Sequence, residues 1–129
     1  MSDSDISDIE IQPASWAAFL DAFNRQHRGW LVSVEVSNAA GAQLEVRERP
    51  FQGVTIDRGS QRRSAFIDTG DREDGFLSFA VPSATRIVFL RTPSGAHRGL
   101  SITSSDGSIT TVRFRSPAFP EMLDGVPAA

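Results

Sequence analysis

One stretch of the sequence, residues 15–36, limits what this chain can fold into more than any other. It reads SWAAFLDAFNRQHRGWLVSVEV, and its pattern of apolar residues changes halfway along. The first half has the period of a helix, and its apolar stripe consists of Trp16, Phe19, Leu20 and Phe23. The second half has the two-residue period of a strand, and its apolar face consists of Trp30, Val32, Val34 and Val36. The rest of the chain must cover this stripe and pair with this strand.

Residues at both ends of the predicted helix support its limits. Ser15 is a suitable N-cap, and Pro13 lies outside the helix, where its missing N–H does no harm. Gly29 follows a basic last turn, which is a common way for a helix to end. His27 lies in that turn, where we expect it to interact favourably with the helix dipole.

The register of apolar residues predicts a hairpin directly after the first strand. Val36 is expected to share a face with Leu44, and Val34 with Val46. These pairs leave a loop of three residues, 39–41, with a glycine in its last position. A three-residue hairpin loop favours a left-handed residue there, which glycine supplies at little cost.

A second hairpin near the C-terminus follows from the same reasoning. Leu100 is expected to face Val112, and Ile102 to face Thr110. These pairs again leave a three-residue loop, 105–107, that ends in glycine. A two-residue Asp-Gly loop would instead place apolar and polar residues on the same face.

Further short apolar segments complete the predicted sheet. The additional strands are expected at 43–49, 51–57, 63–68, 76–81 and 85–91, with a bulge at Gly53. Segments 76–81 and 85–91 are apolar on both faces, so we expect both faces to be buried, one of them against the helix. The predicted fold class is α+β: one N-terminal helix packed on a mainly antiparallel, strongly twisted sheet or small barrel of about eight short strands.

Composition predicts how the chain is divided. A chain of 129 residues with 40% apolar residues is expected to form one globular domain, here residues 13–115. Residues 1–12 are acidic and polar, which predicts a disordered tail, although Ile9 and Ile11 allow a short edge strand. Residues 116–129 are rich in proline and small residues and are predicted to be a C-terminal tail that Phe119, Met122 and Leu123 could dock onto the domain.

The absence of certain sequence features excludes several classes of function. The chain has no cysteine, which rules out disulfides and thiolate chemistry and favours a cytoplasmic location. No apolar run approaches the length of a membrane span, and the acidic N-terminus does not resemble a secretory signal. No phosphate-binding loop or serine-hydrolase elbow is present, and we predict no cofactor.

The charges are unevenly distributed along the chain. The net charge is −3, but six of the 16 acids lie in the first and last ten residues, and every one of the 13 bases is an arginine. Four arginines fall on predicted outward positions of two strands, which makes them candidate binding residues: Arg47, Arg49, Arg113 and Arg115. Guanidinium groups bind phosphate or carboxylate in bidentate fashion, so such a face suits an acidic protein segment or RNA, although it can also be a solvated surface.

Residues 66–70 match the Asp-Thr-Gly pattern of aspartic proteases, in which two apolar residues precede the catalytic aspartate. In those enzymes the aspartate lies on a tight loop and shares a proton with a second aspartate, so Asp68 would need a dimer. Asp71 departs from the pattern by adding a second negative charge nearby. An ordinary exit from a strand into a turn explains the same residues.

The same region contains four carboxylates within seven residues, which makes it a candidate calcium site: Asp68, Asp71, Glu73 and Asp74. Their spacing does not match the helix–loop–helix calcium signature, and Arg72 interrupts them, so a solvated acidic turn is the simpler interpretation. His27 and His97 are the only histidines, which makes a zinc site improbable.

Three segments together resemble a known family. They are the opening W-x-x-F-L-x-x-F-N-x-x-H-x-G-W pattern at 16–30, the Pro-Phe-Gln-Gly segment at 50–53 and the Ser-x-Asp-Gly hairpin at 104–107. The chain resembles small bacterial and archaeal proteins catalogued as a domain of unknown function, over about residues 14–115. The resemblance implies no activity, cofactor or catalytic residue.

The sequence thus favours a small non-enzymatic interaction module that binds a protein partner or associates with itself. One alternative is a small barrel that binds single-stranded RNA through the arginine face. The other is an aspartyl hydrolase centred on Asp68.

Overall fold

The computed structural model describes residues 8–57 and 63–118. It contains one α-helix, α1 (Trp16–His27), which follows a single 3-10 turn at Pro13–Ser15, and eight strands. The strands are β1 (Ile9–Ile11), β2 (Leu31–Asn38), β3 (Gly41–Asp57), β4 (Ser64–Asp71), β5 (Gly75–Val81), β6 (Ala84–Arg91), β7 (His97–Ser104) and β8 (Ile109–Ala118).

All eight strands form one antiparallel sheet in the order β1-β6-β7-β8-β2-β3-β4-β5. Strands β5 and β6 lie near opposite ends of this order, yet only two residues separate them in the chain. The sheet therefore curls until its ends approach, and the N–H of Ala84 donates to the carbonyl of Arg63 at 2.6 Å there. The sheet does not close into a barrel. The predicted α+β class with a twisted antiparallel sheet is confirmed.

Helix α1 fills the concave side of the sheet. Its buried residues are Trp16, Leu20, Phe23 and His27, and Phe19 packs against the same core. The ring of Phe23 lies within 6 Å of three aromatic rings contributed by β3, β6 and β8, those of Phe51, Phe89 and Phe114. One helical stripe thus joins strands that are far apart in the sheet order. Ser15 lies at the N-cap position as predicted, but its side chain makes no capping hydrogen bond, and a 3-10 turn precedes the helix.

The side chain of Asn24 holds the helix against the second half of β3, along the edge where β3 has no neighbour among the described strands. The side chain of Asn24 accepts a hydrogen bond from the N–H of Val54 at 2.8 Å and donates to its carbonyl at 3.0 Å. Asn24 therefore makes the backbone hydrogen bonds that a neighbouring strand would otherwise make with Val54. The ladder between β3 and β4 shifts register next to Gly53, which confirms the predicted bulge. A β-carbon on Gly53 would lie 3.3 Å from the side chain of Asn24, so glycine leaves room for this contact.

The first hairpin differs from its prediction. Val34 faces Val46 as expected, but Val36 faces Gln43, and Leu44 faces Glu35. Between the pairs Val34–Val46 and Glu35–Leu44, a bulge inserts one extra residue into β3. The loop therefore shortens to the two residues between Asn38 and Gly41. Leu44 was predicted to point inward, and this is wrong because the bulge moves it to the outer face, where 43% of it is exposed.

The second hairpin is confirmed. Leu100 faces Val112 and Ile102 faces Thr110, which leaves the three-residue loop 105–107 with its glycine at φ 91°. Asp106 accepts hydrogen bonds from the hydroxyl and the N–H of Ser108. These bonds stabilise the carboxylate and lower the pKa of Asp106.

Two predicted segments, 43–49 and 51–57, form the single strand β3 in the structure. Strand β1 falls within the segment 1–12, which composition assigned to a tail, and pairs with β6. Strand β8 continues past residue 115, and residues 119–129, including the proposed docking residues, lie outside the described residues. Within the described part of the chain, no helix is long and apolar enough to cross a membrane.

Candidate functional site

Three of the four candidate arginines meet on the outer face of the sheet. Ser33 on β2 pairs with Arg113 on β8, and on its other side it lies opposite a bulge formed by Arg47 and Glu48 of β3. Arg115 follows two residues along β8 and points the same way. We call this surface the arginine groove; its lining residues are Ser33, Leu44, Arg47, Glu48, Arg113, Phe114 and Arg115.

The fourth candidate, Arg49, does not belong to the arginine groove. One of its terminal nitrogens donates hydrogen bonds to the carbonyls of Asp74 and Gly75, each at 3.0 Å. The side chain therefore crosses from β3 to the turn between β4 and β5 and holds that turn. Its Nε is buried and has no hydrogen-bond partner among the residues that the structure describes.

The charges within the arginine groove are only partly balanced. Nε of Arg115 lies 3.2 Å from a carboxylate oxygen of Glu48, which is an exposed ion pair. Arg47 and Arg113 are exposed, and neither guanidinium group forms an ion pair or a hydrogen bond with any residue in the described part of the chain. Two guanidinium groups, on the two strands that flank β2, are thus available to an external anion.

The groove has a volume of about 420 Å³. The hydroxyl of Ser33 accepts a hydrogen bond from the N–H of Glu48 at 3.1 Å, which leaves its own proton available for a ligand. Leu44 contributes an exposed apolar surface at the same place. Phe114 lines the groove with only 4% of its surface exposed, so among the described lining residues no aromatic ring is presented for stacking.

A larger cavity of about 560 Å³ lies where the two ends of the sheet approach, between Trp16, Arg63 and Ser83. The guanidinium carbon of Arg63 lies 5.5 Å from the centre of the Trp16 ring, in a cation–π arrangement. The guanidinium group of Arg63 therefore already interacts with a protein side chain, unlike those of Arg47 and Arg113.

Asp68, the candidate protease residue, lies inside strand β4 and not on a loop. It is half-buried and pairs with Gly53 on β3 and Ser78 on β5. The Thr69 that follows is fully buried, and the strand continues to Asp71. The local geometry thus differs from the tight loop that carries the aspartate in aspartic proteases.

The acidic residues of the candidate calcium site do not converge. One carboxylate oxygen of Asp71 accepts a hydrogen bond from the N–H of Asp74 at 2.7 Å, which makes it part of the turn. Among residues 8–57 and 63–118, no group of three histidine, cysteine or acidic side chains is placed to hold a metal ion.

Sequence reasoning missed a buried pair of histidines. Nε2 of His27 lies 2.9 Å from Nδ1 of His97, although 70 residues separate them, and both are buried. Rings of Phe23, Phe89 and Phe114 contact the pair. A signal for His27 was present, because it lies four residues after Phe23 and so continues the apolar stripe of the helix.

Sequence reasoning also misjudged strand β5. Its segment was predicted to be buried on both faces, and this is wrong. Among the strands of the described residues, β5 pairs only with β4 and forms one edge of the sheet, where Phe76 is 65% exposed and Leu77 46% exposed. The helix packs over the middle of the sheet and does not cover this edge.

Comparison with protein families gives one match. The model of a family described as "Family of unknown function (DUF5335)" matches residues 7–122. No curated protein and no solved structure matches the chain. The three segments that carried the resemblance have structural roles here. The opening pattern forms α1 and its core contacts, and residues 50–53 pack against the helix through Phe51 and Gly53. Residues 104–107 form the second hairpin.

Proposed function

We propose that this chain, which belongs to the family of unknown function DUF5335, is a non-enzymatic interaction module that binds an acidic, extended segment of a partner protein in the arginine groove. One observation carries the proposal: Arg47 and Arg113 lie exposed on either side of Ser33, and neither has a counter-ion among the described residues.

The chemistry of the arginine groove fits a carboxylate ligand. Each guanidinium can bind a carboxylate with two parallel hydrogen bonds, and the sheet holds Arg47 and Arg113 on β3 and β8, the two strands that flank β2. The hydroxyl of Ser33 between them supplies a further donor. Leu44 offers an apolar contact to a neighbouring side chain of the ligand. An acidic peptide with an apolar residue matches these groups.

The two alternatives receive less support. RNA would need exposed aromatic rings for base stacking, and the described residues that line the groove include only the buried ring of Phe114. An aspartyl hydrolase would need Asp68 on a tight loop, whereas this residue lies in the middle of a three-strand ladder.

Fluorescence anisotropy with two labelled probes of equal charge tests the proposal: a glutamate-rich peptide that contains leucine, and an oligouridylate. We expect the peptide to bind more tightly. Arg47→Gln and Arg113→Gln should each weaken peptide binding by about tenfold, because hydrogen bonds to charged groups contribute about 1.5–3 kcal/mol.

Arg25→Gln provides the matched control for these variants. Arg25 is also exposed, but it lies on the helix and forms an ion pair with Asp21 at 3.5 Å. Its substitution should leave peptide binding unchanged. If all three variants weaken binding equally, the arginine groove is not the site; if the oligouridylate binds more tightly than the peptide, the partner class is wrong.

A further inference from the structure

Strand β5 is an edge strand without the usual protection against pairing. Its seven residues, Gly75–Val81, include no charged residue and no proline. At the other end of the sheet, β1 has only three residues, and its Glu10 forms an ion pair with Arg86. Short length and charge normally prevent edge-to-edge association, and β5 has neither feature. Its exposed Phe76 and Leu77 add apolar surface on both faces of the strand.

We propose that β5 is the interface with a second copy of this chain, paired antiparallel through a two-fold axis at Ser78. The two eight-stranded sheets then form one continuous sheet across the dimer. This interface is separate from the arginine groove and does not depend on its ligand.

The register follows from the limits of the strand. An axis at Ser78 pairs the whole of Gly75–Val81 with itself, so that Phe76 faces the partner's Ala80 and Leu77 faces the partner's Phe79. These pairs keep apolar side chains on matching faces. Moving the axis one residue towards the C-terminus would place Pro82 in the ladder, where it has no N–H to donate. Moving it one residue the other way would bring the charged Asp74 into the ladder.

Charge complementarity favours a second copy as the occupant. The turn before β5 contains Asp71, Glu73 and Asp74 with a single arginine, so this end of the strand is acidic. At the opposite end, Arg63 lies one residue before β4 and next to the link from β5 to β6. Its guanidinium contacts the Trp16 ring but has no carboxylate partner among the described residues, so its positive charge is not neutralised within the protomer. Antiparallel pairing brings the acidic end of each protomer towards the basic end of its partner.

The edge is also preorganised for pairing. Arg49 donates to the carbonyls of Asp74 and Gly75, which fixes the start of β5. Gly70 and Gly75 pack so closely that a β-carbon on Gly70 would overlap the backbone of Gly75. A strand that is held in place before binding loses little conformational freedom when a partner strand adds to it.

The symmetry of this dimer has a consequence for binding. A two-fold axis perpendicular to the sheet leaves the outer faces of both protomers on the same side. Two arginine grooves would then be presented together, so a partner with two acidic segments would bind with higher avidity than a partner with one.

Disulfide cross-linking tests the proposed register, and the absence of native cysteines makes the background clean. Directly paired residues of antiparallel strands have Cα atoms about 4.5–5.5 Å apart, which suits a disulfide. Ser78→Cys should therefore form a covalent dimer on mild oxidation. Ser37→Cys, an exposed serine on β2, is the control and should remain monomeric. Equal cross-linking of the two variants would overturn the register.

Sedimentation equilibrium tests the dimer itself. The wild-type chain should sediment at twice its monomer mass of 14.0 kDa, while Phe76→Glu and Leu77→Lys should each sediment as monomers. Thermal melts followed by circular dichroism should show that both variants remain folded. A wild-type protein that stays at 14.0 kDa across the concentration series would overturn the proposal.

Discussion

His27 and His97 form a directional pair in the core, with Nε2 of His27 2.9 Å from Nδ1 of His97. The Nδ1–H of His27 must donate to the carbonyl of Phe23, 2.7 Å away, because a carbonyl oxygen can only accept. Nε2 of neutral His27 therefore accepts, and His97 donates from Nδ1. The structure thus fixes one tautomer for each histidine.

This arrangement makes stability depend on pH. Burial is the main reason that the pKa of His27 falls from 6.5 to about 4; the hydrogen bond to Phe23 opposes this shift, and the nearby His97 adds to it. Between these two values the unfolded chain takes up a proton that the folded chain refuses, so stability falls as the pH falls. We expect the free energy of unfolding to drop by about 2 kcal/mol between pH 7 and pH 5 from this group.

Urea denaturation at the two pH values measures this effect, with His27→Gln as the comparison. The variant should be less stable at pH 7 but should lose about 2 kcal/mol less than the wild type on acidification. Parallel losses in both proteins would assign the pH dependence to other groups.

The packing of Phe23 supports a second prediction. Phe23 is 2% exposed, and its ring contacts those of Phe51, Phe89 and Phe114. Phe23→Ala should reduce the free energy of unfolding by about 3–5 kcal/mol in urea melts. Ile109→Ala, a large-to-small substitution at an exposed position outside β5, should cost about 0.5 kcal/mol or less. A loss below about 1 kcal/mol at Phe23 would show that the helix is peripheral to the core.

A third prediction compares two glycines with positive φ. Gly99 lies where β7 meets β8, at φ 148°, and a β-carbon there would overlap the carbonyl of Val112. Gly107, at φ 91° in the second hairpin, has open space around it. Gly99→Ala should therefore cost about 2–4 kcal/mol, from strain and steric overlap together, and Gly107→Ala about 1 kcal/mol, from strain alone. Chemical denaturation distinguishes them, and equal losses would contradict this account.

Local patterns predicted well those features of the fold that depend on neighbouring residues. Helix α1 follows from the helical period of its apolar residues. The second hairpin follows from a strand register that continues without a bulge from the Leu100–Val112 pair to the loop. The first hairpin has the same kind of pattern, but a bulge near Glu45 changes the face of Leu44. A bulge of this kind leaves no distinctive mark in the sequence, because any residue type can occupy it.

Features that depend on the order of strands in the sheet were not predictable. The apolar residues of β5 do not reveal that the strand lies at an edge, since a buried strand has the same composition. The contact of His27 with His97 depends on how β7 is placed against the helix. For the candidate site, alternation placed Arg47, Arg113 and Arg115 on one outer face, but only the structure shows that Arg49 turns away to hold the β4–β5 turn.

The most direct test of the proposed function is an amide NMR titration of the wild-type chain with the glutamate-rich peptide. The ¹H–¹⁵N resonances of Ser33, Arg47, Glu48 and Arg113 should shift progressively and saturate, because these residues surround the two unpaired guanidinium groups. The same titration of Arg113→Gln should need about tenfold more peptide to reach half of the maximal shift, which matches the tenfold loss of affinity expected for this variant. Shifts that cluster outside the arginine groove, or none at saturating peptide, would contradict the account.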